Sequence, residues 1–237
     1  ISGWWNALIP ADFDGDGDVD FIAGNLGLNS KIKASPKHKV SLYLNDFDDN
    51  GKAEQLLEYR LGERDIVFNN YKELTMQMPS LKKKFLFAKD FAKADLEDLV
   101  GKEKLQQSEQ LQAECLENSL FINEGELSFN RRALPTRLQF SPIKAGAYVD
   151  LDGDGGMELV LGGNFYESNI SMGRYDADYG SILSFDKNGL VVKELESLGV
   201  RGQIRQIKVV QMNGHPHVGL VRNNDSVLIL RSDQLLQ

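Results

Sequence analysis

Three nine-residue stretches of this chain set oxygen-bearing side chains at positions 1, 3, 5 and 9, with glycine at position 6. They read Asp12-Phe-Asp14-Gly-Asp16-Gly-Asp18-Val-Asp20, Asp46-Phe-Asp48-Asp-Asn50-Gly-Lys52-Ala-Glu54 and Asp150-Leu-Asp152-Gly-Asp154-Gly-Gly156-Met-Glu158. Two carboxylates about 5 Å apart repel by about 3 kcal/mol at an effective dielectric of about 20. Several such pairs in one tight turn would splay it unless a cation sat among them, which weighs against a merely solvated acidic turn. Calcium suits the set best, because it takes six to eight oxygens in a flexible shell. In each loop position 7 (Asp18, Lys52, Gly156) offers only its backbone carbonyl. The middle loop is expected to be the weakest, since Asn50 replaces an acid and Lys52 stands at the carbonyl-only position.

An EF-hand opens in the same way but closes with a bidentate Glu at position 12 and is held between two helices. Position 12 here is Ala23, Leu57 and Leu161 in turn. The runs after the loops, Phe21-Ile22-Ala23, Gln55-Leu56-Leu57 and Leu159-Val160-Leu161, are short and apolar, as buried strands are. The EF-hand reading fails.

The 237 residues are enough for a substantial core in one domain or two. A net charge of −8 and a pI near 5.0, with no basic stripe, disfavour a nucleic-acid partner. Lys82-Lys83-Lys84 falls in a helical pattern and reads as a solvated face. No run of about 18 apolar residues suggests a membrane span. The single cysteine, Cys115, cannot form an internal disulfide and reads as a small buried residue of a helix. The chain opens at Ile1-Ser-Gly-Trp4-Trp5 without Met, part-way through a strand, so it is expected to be cut from a longer protein and the lack of a signal peptide is uninformative.

The strongest internal repeat aligns 11–25 with 149–164: acidic loop, apolar strand, then Gly24-Asn25 or Gly163-Asn164. Strand-like runs recur at 40–45, 53–60, 119–123, 127–131, 145–151, 181–185, 190–195, 204–210, 218–222 and 226–230. Asn123-Glu-Gly125, Lys187-Asn188-Gly189 and Asn213-Gly214 supply turns between them, the last a strong hairpin signal. Short strands in repeated units predict a mostly β fold of propeller blades, about three to four at four strands each. A closed propeller has about four to eight, so a partial propeller with an open edge strand is expected. From about 71 to 116 the period turns helical, with Leu81, Phe85, Ala88 and Phe91 on one face, Ser80 as a cap, and a second helix from about 103 to 115. The expected division is therefore 1–70, blades with two calcium loops; 71–116, a helical insertion; and 117–237, blades with one calcium loop. The insertion reads equally as a partner surface or as a buttress on the sheet.

These residues resemble the FG-GAP or VCBS repeat family, seen in integrin α-chain propellers and in many bacterial surface proteins, including large proteins of the Bacteroidetes type. The resemblance rests on 11–25, on 149–155 and on Asn118-Ser-Leu-Phe-Ile-Asn123-Glu-Gly125, and the repeats cover about three quarters of the chain. It implies that the loop cation is structural calcium, up to three ions, holding strand-to-strand turns rigid. It also implies Asp12, Asp14, Asp16, Asp18 and Asp20 as ligands, with Asp46, Asp48, Asn50, Lys52 and Glu54, and Asp150, Asp152, Asp154, Gly156 and Glu158, in the other two loops. Asn50, Lys52 and the helical segment depart from the family pattern.

Three functions follow as hypotheses. The first is a non-enzymatic binding, adhesion or scaffold module of a secreted or surface protein, with a glycan or protein ligand and further blades in a parent chain. The second is part of a secreted enzyme acting on glycans or phosphoesters, with its active site outside these blades or at their axis. The third is assembly through the helical segment. A catalytic metal keeps an open position, whereas these loops can fill the shell themselves, and neither Gly-x-Ser-x-Gly nor His-Glu-x-x-His occurs. The first reading is therefore preferred. His215 and His217 alternate at the start of a hairpin's return strand, which puts both imidazoles on one side, as a transition-metal site would need. His38 reads as solvent-facing. Arg174-Tyr175-Asp176-Ala-Asp178-Tyr179 beside Asn164-Phe165-Tyr166 fits either sugar stacking or packing between blades.

Overall fold

The computed structural model describes residues 1–185, 191–232 and 235, with the backbone alone for 191–196. The expected turn at Lys187-Asn188-Gly189, and Leu190 after it, lie outside the described residues. In chain order come β1 (Ala7–Ala11), β2 (Asp20–Gly24), β3 (Val40–Asn45), β4 (Glu54–Leu61) and β5 (Arg64–Val67). Five helices follow: α1 (Tyr71–Gln77), α2 (Leu81–Lys84), α3 (Ala88–Phe91), α4 (Leu96–Val100) and α5 (Lys102–Gln106). Next are β6 (Glu109–Ala113), β7 (Ser119–Asn123), β8 (Phe129–Ala133), β9 (Ile143–Val149) and β10 (Glu158–Gly163). The chain closes with β11 (Ser181–Phe185), β12 (Val191–Ser197), β13 (Gln203–Met212), β14 (His215–Asn223) and β15 (Leu228–Arg231). The protein is mostly β, in four small antiparallel sheets, none closed.

The chain divides into two compact units, a larger one of Trp4–Lys31 with Leu116–Gln237 and a smaller one of Ile1–Gly3 with Ile32–Cys115. The larger unit holds three sheets, ordered β1-β2-β7-β8, β9-β10-β11-β12 and β13-β14-β15. The first strand of each sheet neighbours the first strand of the next, β1 beside β9 and β9 beside β13. Ile9, Ile22, Leu120, Ile122, Leu159, Leu161 and Leu183 form one core, and Val160, Ile182, Ile204, Ile207, Val218 and Leu220 form the other. β10 is buried along its whole length, as its unbroken apolar run requires, and it supplies both cores. β13 and β14 are joined by Asn213-Gly214, both at positive φ (54° and 80°), so the two-residue hairpin expected there forms.

Gly24 and Gly163, which precede the repeated asparagines, sit where a Cβ would meet the Ile143 carbonyl oxygen at 2.2 Å and the Pro142 carbonyl oxygen at 1.7 Å. The asparagines are buried hubs. The Asn25 side-chain oxygen accepts from Trp4 and Leu26 N–H, and Asn164 donates to the Asp178 and Gly202 carbonyls. The repeated Gly-Asn pair is thus a close approach of two backbones followed by a hydrogen-bonded lock.

The smaller unit is a sheet ordered β5-β4-β3-β6 packed against α1–α5. Phe47 and Leu56 of the sheet side pack with Leu74, Met78, Leu81, Phe85, Leu96 and Leu99 of the helical segment. The helical segment thus packs on its own sheet. Two expectations there are corrected. Residues 109–113 form β6, a strand paired with β3 from Val40↔Ala113 to Leu44↔Glu109, so no helix runs from 103 to 115 and Cys115 lies buried beyond a strand. Pairing gives the outer edge of β3 its hydrogen bonds, which outweighs weak helical periodicity. The helix expected from Ser80 is instead two four-residue turns, and Ser80 makes no side-chain cap. The caps lie elsewhere, as capping boxes from Asn70 to Glu73 and from Asp95 to Asp98. Among the described residues, no helix is long and apolar enough to cross a membrane.

Candidate metal centres

Each acidic loop is the direct connection between two antiparallel strands: β1 to β2, β3 to β4 and β9 to β10. The registers are the same. Position 9 pairs with the residue just before position 1, as Ala11↔Asp20, Asn45↔Glu54 and Val149↔Glu158. One nine-residue turn therefore fixes the alignment of three hairpins.

The loops build this turn from shared parts. Position 2 is an apolar anchor sunk in the core: Phe13, Phe47 and Leu151 are 2%, 7% and 1% exposed. Its N–H donates to the carboxylate at position 9, at 2.8 Å to Asp20, 2.9 Å to Glu54 and 2.9 Å to Glu158. Those three acids are themselves buried. The carboxylate at position 1 accepts from the N–H of position 6, with Gly17 on Asp12 at 3.1 Å, Gly51 on Asp46 at 2.7 Å and Gly155 on Asp150 at 3.1 Å. Positions 4 and 6 turn the chain through positive φ: Gly15 and Gly17, Asp49 and Gly51, Gly153 and Gly155. Glycine takes this conformation without steric penalty, so Asp49 is the exception.

The result is three carboxylate trios, Asp12 with Asp14 and Asp20, Asp46 with Asp48 and Glu54, and Asp150 with Asp152 and Glu158. Within each trio one oxygen per residue lies within 4.8 Å of the others. Each could hold a metal ion. Asp16 and Asp154 stand outside the trios and accept from the N–H groups of Asp18 and Gly156, at 2.8 and 2.6 Å. Asn50 likewise accepts from Lys52 N–H at 2.9 Å. Positions 5 and 7 are thus tied to each other in all three turns.

Electrostatics follow from this crowding. Burial, opposed by a hydrogen bond from Asp16 N–H and reinforced by Asp20, Asp16 and Asp12, holds the Asp14 carboxyl above its ordinary value. Burial, with Asp152, Asp154 and Asp150 nearby, does the same to Glu158 against the opposing Leu151 hydrogen bond. In the middle loop Asp48 Oδ1 is buried without a hydrogen-bond donor. A buried, unpaired carboxylate oxygen is costly, and a cation among Asp46, Asp48 and Glu54 would satisfy it. The donor set of hard oxygens fits a hard cation in all three turns.

The other sequence candidates do not gather into a metal site among the described residues. His217 Nδ1 lies 3.0 Å from the His215 carbonyl oxygen, and no third ligand joins the pair. Tyr175 is 4% exposed and its hydroxyl bonds Ser30 Oγ at 2.8 Å, so its ring cannot stack on a sugar. Arg174 covers the Tyr166 ring at 3.6 Å. Asp178 accepts from Gly163 N–H at 2.6 Å, and its own N–H bonds Asn164. These contacts are packing. The pattern did not reveal Asn118, fully buried, whose side chain accepts from Asn25 N–H and donates to the Leu138 and Ser141 carbonyls. The repeated Asn of Gly24-Asn25 was the available signal for that hub. Comparison of the chain with protein-family models, with curated proteins and with solved structures finds no match.

Proposed function

We propose that this chain is a calcium-stabilised binding or scaffold module without catalytic activity, made of β-propeller blades of the FG-GAP or VCBS type and belonging to a secreted or cell-surface protein. The observation that carries the reading is the recurrence of one carboxylate trio in three hairpin turns of identical register. Oxygens held about 2.4 Å from one calcium ion stand no more than about 4.8 Å apart, and each trio keeps within that bound. Magnesium prefers one or two carboxylates and keeps its waters, which makes it the poorer occupant. The adjacency of β1, β9 and β13 supports blades arranged about an axis, with inner strands as neighbours. Sites of this kind fill where calcium is abundant, which favours the cell exterior, and a surface glycan or protein is the ligand class that such a module serves.

Calorimetric titration of chelator-stripped protein with calcium tests this. Up to three equivalents should bind, with terbium luminescence reporting the same sites and magnesium failing to compete at equal concentration. Absence of any calcium heat, or loss of none of it in a triple variant at Asp12, Asp46 and Asp150, would refute the reading.

A further inference from the structure

A second site lies far from the acidic turns in chemical character. Between β1, β9 and β13 of the larger unit is a cleft of about 380 Å³, whose lining includes Leu8, Pro10, Lys144, Tyr148, Arg205 and Lys208. The lining holds three cations and no acid, in a chain of net charge −8. Its size falls in the range of small-molecule sites, about 300–1,000 Å³. All three strands are the edges of their sheets, so the backbone groups on their outer sides have no sheet partner and add hydrogen-bonding capacity to the walls.

Two of the three cations, Lys144 and Lys208, have no carboxylate partner among the described residues. Lys144 is half-buried, its ammonium donates to the Asn6 side-chain oxygen, and it lies 5.4 Å from the centre of the Phe165 ring. No carboxylate pairs with it among the described residues. Burial, and then the nearby Arg205, hold its pKa below the ordinary lysine value. Arg205 is held by the Asn164 carbonyl at 2.9 Å and the Gln203 side-chain oxygen at 2.6 Å, with Glu167 at 3.7 Å. Lys208 is exposed and makes no ion pair among the described residues. Cations gathered in a partly desolvated cleft raise the energy of the free protein, and an anion between them lowers it. Charge-assisted hydrogen bonds to an oxyanion are the strong kind.

We infer that this cleft binds a small ligand through an oxyanion group, a carboxylate or sulfate, held by Lys144, Arg205 and Lys208. The inference does not depend on the calcium reading. The acid group either belongs to a sugar, whose ring would lie along Leu8, Pro10 and Tyr148, or is a free ion.

Titration calorimetry at low ionic strength with glucuronate, inorganic sulfate and glucose separates these, in calcium and again in chelator. Glucuronate and sulfate should bind and glucose should not. Tighter binding of glucuronate assigns a sugar acid, whereas equal binding assigns a bare oxyanion. Lys208→Ala and Lys144→Met should each weaken binding about tenfold, the loss of one charge-assisted bond. If Lys144→Met does not fold, Lys208→Ala, at an exposed position, decides alone. No heat from either anion, or undiminished binding by Lys208→Ala, would overturn the assignment.

Discussion

The turns at 46–54 and 150–158 share a register and a carboxylate trio, but they satisfy their oxygens differently. In 150–158 every carboxylate of the trio has a donor within the turn: Gly153 and Gly155 serve Asp150, Asp154 serves Asp152, and Leu151 serves Glu158. In 46–54 Asp46 and Glu54 are served in the same manner, but Asp48 Oδ1 has no donor. The middle turn also places Asp49 at φ 59° where its counterpart uses Gly153, a backbone cost of about 1 kcal/mol. The Lys104 ammonium of α5 reaches the Asp49 carboxylate and, at 2.9 Å, the Asp46 carbonyl. Backbone donors can therefore hold one turn in shape alone, whereas the other leans on outside charge. A shared ligand pattern does not imply shared dependence on the ion.

The largest expected effect is that of chelation. An ion present at about 100 times its dissociation constant contributes about 2.7 kcal/mol per site, so stripping calcium should lower the melting temperature by many degrees in a scanning calorimeter. At limiting calcium, two equivalents should bind before the third if 46–54 is the weak turn. Three indistinguishable equivalents would erase the contrast.

Substitution sharpens it. Asp20 accepts from the N–H groups of Phe13 and Asn123, both at 2.8 Å, and is fully buried. Asp20→Ala strands two donors and should cost about 2 kcal/mol or more in urea denaturation, with or without calcium. Asp48→Ala removes an acceptor that has no donor. It should destabilise in calcium and be neutral or stabilising in chelator. Equal losses for Asp48→Ala in both conditions would mean that the middle turn is no more ion-dependent than the others.

The parts of this fold that could be read from sequence are those in which one local rule fixes each position. Asp, Asp and an acid at 1, 3 and 9, glycine at 6, and an apolar residue at 2 dictate the turn, and the turn dictates its hairpin. Asn213-Gly214 worked in the same way. What escaped was non-local. β7 pairs with β2 across nearly a hundred residues of intervening chain, and no residue in either strand announces its partner. β6 reads as a weak helix in isolation and becomes a strand because β3 offers an edge. The basic cleft joins Lys144 to Arg205 and Lys208, so it exists only once β9 and β13 are neighbours.

Acidity should act on the turns of the larger unit more modestly. The Asp14 and Glu158 carboxyls stand above their ordinary values of 3.8 and 4.5, chiefly through burial. The ion-free fold thus binds protons at a pH where the unfolded chain has released them, so these two groups stabilise that fold as pH falls toward their unfolded values. The same protons compete with the ion. The gap between melting temperatures in calcium and in chelator should therefore narrow from pH 7 to pH 5. A gap that widened would mean that these carboxyls do not meet the ion.

The smallest effect belongs to Lys104, and its sign carries the information. The Asp49 carboxylate, as hydrogen-bond acceptor, is the main cause of the raised pKa of this lysine, and that carboxylate is exposed, so Lys104→Met should change stability little. Ion affinity is another matter. The ammonium sits beside the Asp46 carbonyl and repels an incoming cation, and by pairing with Asp49 it also cancels a negative charge that would attract one. Both actions oppose binding, so Lys104→Met should tighten calcium at 46–54 by a few-fold at low salt and leave the other two turns alone. Because the Asp49 carboxylate is exposed, the gain should fade as the screening length shrinks from about 30 Å at 0.01 M to about 3 Å at 1 M salt. Weaker binding that ignores salt would mean the reverse, that the lysine serves the middle turn as a clamp holding the Asp46 carbonyl in place.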